Sequence, residues 1–237
     1  MSKEHSEEAV ERVAKALFDH KVKEAQNEFD AIDLGLDDAS DFFLKLRAES
    51  DAALVVLATS YIDTQLTAAW TRNMPGKSNN AIAGLMDNSG PLATMSSKIR
   101  LAHALDWMSD EMNTDLHIIR KIRNKFAHDP YAQSLDDAEV VPLINSLESS
   151  EVVIFDNLKD DKVPIPVLSP RLKYHMRAAM ICHRLVLQMA AAPVAVRNQV
   201  PRHVVIGPFE EGPDSRRAIA RSQARTLLEL MGVPVKK

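Results

Sequence analysis

The run Asp115-Leu116-His117-Ile118-Ile119-Arg120-Lys121-Ile122-Arg123-Asn124-Lys125-Phe126-Ala127-His128 carries one helical repeat and then meets Asp129-Pro130. No other stretch constrains the chain as much. Leu116, Ile119, Ile122 and Phe126 fall on one apolar stripe at helical spacing. His117, Lys121, Asn124 and His128 follow at i, i+4, i+7 and i+11 on the opposite face, with Arg120 beside them. Arg123 lies at the border, where its stem can follow the core while its head reaches out. The residue before a proline is pushed out of the α region, so the helix stops there. His128 therefore occupies the last turn, where unpaired carbonyls and the negative dipole end favour a protonated ring. That is one way to hold an imidazole ready for acid and base work. The plainer reading of the same spacing is a solvated basic face ended by a capping histidine.

Arg123-Asn124 with His128 at the end of a helix resembles the signature of the HEPN superfamily, small α-helical proteins that include many RNA-cleaving toxins and defence proteins. Gly90-Pro91-Leu92-Ala93-Thr94-Met95-Ser96-Ser97-Lys98-Ile99-Arg100-Leu101-Ala102-His103-Ala104-Leu105 precedes the motif by a short hairpin. Together with Asp115 to His128 it resembles the mannitol operon repressor family. Ser50 to Leu66 is similar to the long first core helix of those proteins, so the resemblance covers about residues 40–130. Asn124 stands where the namesake of that family has an acidic residue, which brings this chain closer to the catalytic HEPN pattern.

The resemblance implies a HEPN-like antiparallel helical bundle and two functions. The first is an RNA-binding protein or metal-independent endoribonuclease of toxin or defence type. Such cleavage needs a base for the 2′-OH, an acid for the leaving oxygen and a cation for the phosphorane. His128 would be the base or acid, Arg123 the charge stabiliser and Asn124 the positioner. His117, Arg120, Lys121 and Asp63 would support them or contact RNA. One motif supplies one imidazole, so a two-fold homodimer would complete the site. The alternative is a non-catalytic regulator working through protein contacts, since the family includes a relative that binds the phosphocarrier protein of sugar uptake. An antitoxin would be the corresponding partner of a toxin. Asn124 favours the first.

Only 7 glycines, with Ala, Leu, Glu, Lys and Arg plentiful, predict an all-α fold. A net charge of −4 argues against a general nucleic-acid binder, though not against local basic patches. The one cysteine, Cys182, sits in a helical pattern and reads as core; a lone thiol suits a reducing cytoplasm. The N-terminus has no signal-peptide core, and no stretch approaches the roughly 20 apolar residues of a membrane span. His-Glu-x-x-His, Cys-x-x-Cys and Gly-rich phosphate loops are absent from the sequence, so neither metal nor cofactor is expected. His103 falls on the apolar face of its helix and reads as a core histidine. No recognition-helix pair stands out, so regulation by direct DNA readout is not expected.

Three segments follow. Residues 1–36 hold an amphipathic helix over 7–29. Residues 37–192 form the helical domain, with core helices predicted at 41–72, 92–107, 110–128 and 169–192. Within it, 79–87 reads as a short helix and 134–147 as another, with Pro142 in its first turn or at a kink. Residues 151–155 and 162–167 read as a small hairpin. From Pro193 the prolines predict an extended arm, then a last helix from Asp214 to Met231. Its Arg217, Arg221 and Arg225 repeat at i, i+4 and i+8 and could contact phosphates or an acidic partner.

Overall fold

Two long helices form the centre of the molecule. In this computed structural model, which describes residues 3–74, 79–128, 134–147, 168–206 and 223–233, every regular element is helical. The order is α1 (Lys3–Asp30), α2 (Leu36–Lys45), α3 (Asp51–Asn73), α4 (Asn79–Met86), α5 (Met95–Ala104), α6 (Asp110–His128), α7 (Val141–Asn145), α8 (Pro170–Asn198) and α9 (Arg202–Ile206). A last helix, α10, covers 223–230. The expected all-α class holds.

Ser50 opens α3 as its N-cap, its Oγ accepting from the Ala53 amide at 3.2 Å. The single core helix predicted over 41–72 is broken just before this, at a 3-10 turn over Leu46–Ala48. Leu54, Ile62 and Leu66 of α3 pack fully buried in one core with Tyr174, Cys182 and Leu185 of α8. Each such aliphatic side chain contributes about 1.5–3 kcal/mol by leaving water. Both helices are long and apolar enough to cross a bilayer, against the expectation that no stretch approaches this. Their length and composition come from being the central pair of the bundle, and 83% of the α8 window is buried inside it.

The α8 helix does not stop at Ala192 but runs on through Pro193 to Asn198. Proline removes the amide that would bond the carbonyl four residues back, normally a cost of about 3 kcal/mol or more. That carbonyl belongs to Met189, and Asn73 at the end of α3 donates its Nδ2 to it at 2.7 Å. Beyond the proline, Val194 and Ala195 bury against Ala25 and Phe29 of α1, in a second core that also takes Val200 and Val205. Asn73→Leu should therefore strand a polar atom and lower stability by about 1–3 kcal/mol in urea titration. Unchanged stability would show that Pro193 is accommodated some other way.

Other boundaries differ for local reasons. The α5 helix begins at Met95 rather than after Gly90-Pro91, because Thr94 and Ser97 form a capping box. Gly90 instead packs under α4, where a Cβ would lie 2.4 Å from the Leu85 carbonyl oxygen. Residues 134–140 make turns rather than the first part of a 134–147 helix. The Asp51 carboxylate accepts from the Leu135 amide at 2.8 Å and ion-pairs with Arg171, which pins this stretch to the start of α3. The helix proper is only Val141–Asn145, with Pro142 in its first turn as expected. The predicted hairpin at 151–167 lies outside the described residues, as does the last helix before residue 223.

Candidate functional site

The motif helix α6 keeps the boundaries read from its sequence, Asp110–His128. Ser109 caps it, Oγ accepting from the Met112 amide at 3.3 Å. Leu116, Ile119 and Ile122 are fully buried, and Phe126 packs half-buried on the same core. This fixes the rotation of the helix and turns Arg120, Arg123 and Asn124 toward α3 and the start of α5.

These three elements enclose a cleft of about 360 Å³ lined by Thr59, Ser60, Asp63, Thr94, Met95, Ser96, Arg120, Arg123 and Asn124. Arg120 and Arg123 lie one turn apart. Arg123 Nη1 donates to Asn124 Oδ1 at 3.3 Å. The Nε of Arg120 is buried with no hydrogen-bond partner. Among the described residues neither guanidinium meets a carboxylate. Asp63, expected to support the motif residues or contact RNA, is taken by Lys98, whose Nζ reaches Asp63 Oδ1 at 2.9 Å and Thr67 Oγ1 at 2.7 Å. Lys98 is 5% exposed, so this pair is held firmly in the wall.

The cleft thus gathers Arg120, Arg123, Asn124 and Asp63 but not the other expected residues. His128 is the exposed last residue of α6 and does not line it. Lys121 is exposed, and Lys125 ion-pairs with Glu139. His117 is half-buried; burial first, then Arg120, Arg100 and His103, hold its pKa below the usual imidazole range. His103 is not a core histidine: 39% of its side chain is exposed, and its ring bonds Asp110 at 2.7 Å. The geometry favours that partner because Asp110 opens the next helix beside it. Arg225 pairs with Glu229 of its own helix at 2.9 Å, and Arg217 and Arg221 lie outside the described residues.

Lys98 was the residue missed. Its signal was present: it shares the helical stripe of Met95, Ile99 and Ala102, and all four are buried. A lysine in an apolar stripe must bring a partner with it. Thr94 and Ser96 carry no signal in the sequence that sets them apart as cleft residues. Among the described residues no three His, Cys, Asp or Glu side chains gather as a metal site. Burial pushes the Cys182 thiol up to about 12, which removes it as a nucleophile at neutral pH.

A protein-family model, MtlR or mannitol repressor, matches residues 60–192. No curated protein is similar enough to match. Among solved structures the chain is similar to one in the MtlR–HPr complex from Escherichia coli, at 13% identity over 63% of this chain and 99% of that one, with a TM-score of 0.48.

Proposed function

The chain belongs to the mannitol repressor family, whose model spans more than half of it, and from that premise we propose that it is a non-catalytic regulator acting through protein contacts. One observation carries this choice over RNA cleavage. Arg123 and Asn124 line the cleft, whereas His128 stands outside it on an exposed helix end. Acid–base catalysis needs the imidazole within hydrogen-bond reach of the atom that the cation stabilises. Here the cations have a shaped cleft without an imidazole, which suits binding rather than bond cleavage. A phosphocarrier protein of sugar uptake is the partner to test first, in a cytoplasmic setting. The homodimer served the composite ribonuclease site and is not required by regulation.

Purified protein should leave a mixed single-stranded RNA pool intact, and His128→Ala should behave the same. It should also co-elute with a phosphocarrier protein on size exclusion. Cleavage that His128→Ala lowers about 10²-fold or more would restore the ribonuclease reading.

A further inference from the structure

We infer that the cleft between α3, α5 and α6 binds a small phosphomonoester, held as its dianion by Arg120 and Arg123. This rests on the binding role given to the cleft above and names its ligand. The charge balance is the first support. Among the described residues Asp63 is the one carboxylate of the lining, and Lys98 neutralises it at 2.9 Å. Two guanidinium charges remain a turn apart, and like charges at that spacing repel unless an anion lies between them. The second support is the buried Nε of Arg120, a donor with no acceptor among the described residues. Leaving such a donor unpaired is costly, and turning the guanidinium into the cleft would let a ligand oxygen satisfy it. A guanidinium fork also matches the geometry of phosphate oxygens.

The facing wall adds to this. Thr94, Met95 and Ser96 begin the ten-residue α5. The capping box takes the Thr94 and Ser97 amides, leaving those of Met95 and Ser96 to the positive dipole end, which favours an anion. Ser60, Asp63 and Asn124 add polar groups, while Met95 and the aliphatic parts of the other side chains leave the cleft surface more apolar than polar. Size decides what is esterified to the phosphate: a small group, neither a lipid chain nor a large aromatic. About 360 Å³ is at the small end of ligand sites.

The test is calorimetric titration and thermal shift of the full chain with glycerol 3-phosphate, inorganic phosphate and glycerol. Glycerol 3-phosphate should bind saturably at one site, more tightly than inorganic phosphate, and glycerol not at all. Arg120→Gln should weaken binding by about tenfold or more. Ser96→Asp places a carboxylate in the cleft at a helix position that favours acids, so it should fold normally and abolish binding. Circular dichroism checks the fold of both variants. Silence with both phosphates overturns the site, as does unchanged affinity in folded Arg120→Gln and Ser96→Asp. Inorganic phosphate binding as tightly as the ester overturns the ester assignment. Steeply salt-dependent binding of poly-A RNA without binding of glycerol 3-phosphate also overturns it. Failure here leaves co-elution with a phosphocarrier protein untouched, and RNA cleavage would sink the regulatory role without silencing this titration.

Discussion

Lowering the pH from about 7 to about 4.5 should remove several kcal/mol of folding stability, through two buried histidines on α8. His175 and His183 are 3% and 0% exposed. Burial lowers the pKa of each to about 4 from an ordinary 6.5. For His175, Arg171 and Arg47 push the same way, and the Phe43 carbonyl, accepting from its ring at 2.7 Å, opposes them. For His183, Asp37 and the Leu36 backbone oppose burial. Both rings stay neutral in the fold while the unfolded chain protonates them. The stability they contribute is therefore fully present above about pH 6.5 and lost progressively as pH falls toward about 4. At about 1.4 kcal/mol per pH unit, each histidine accounts for about 3 kcal/mol over that window. Urea titrations at several pH values measure the slope. The double variant His175→Gln, His183→Gln should flatten it; an equally steep slope in that variant would assign the acid sensitivity to carboxylates.

Trp70→Ala should cost about 3–5 kcal/mol, the range for truncating a large aromatic in a core. The Trp70 ring is 2% exposed and lies 4.5 Å from that of Trp107, centroid to centroid. Its Nε1 donates to the Lys98 carbonyl at 3.3 Å. It thus ties α3 to α5 at the residue that neutralises Asp63, and its loss should loosen one wall of the cleft. For a chain of this length the expected fall in Tm is about 10 °C. Trp70→Phe should keep most of the packing and lose only the hydrogen bond. A small Tm change in Trp70→Ala would mean that α5 is held mainly by α6.

The motif helix was legible because its stripe, cap and stop all agree, and its boundaries match the sequence reading to the residue. The all-α class followed from few glycines and helical spacing. What the sequence could not show was tertiary repair. Pro193 reads as a helix stop until Asn73, 116 positions away in the chain, is seen to take the orphaned carbonyl. Asp51 shortens α7 in the same long-range way. At the site, Arg120, Arg123, Asn124 and Asp63 were named from one face and one neighbouring helix. Spacing could not tell that the turn between Asn124 and His128 carries the imidazole out of the cleft. It also could not identify Lys98 as the partner of Asp63, because that pairing depends on how α5 docks on α3.

The unbroken passage of α8 through Pro193 makes one rod the common wall of two hydrophobic clusters. If the rod ended at Ala192, the cluster under α1 could open and close on its own. Because it is continuous, fraying there works back toward Met189 and the end of α3. The amide of Asn73 then acts as a latch between the two clusters. The described helices should thereby unfold as one cooperative unit in which disturbance of α1 is felt at the bundle centre.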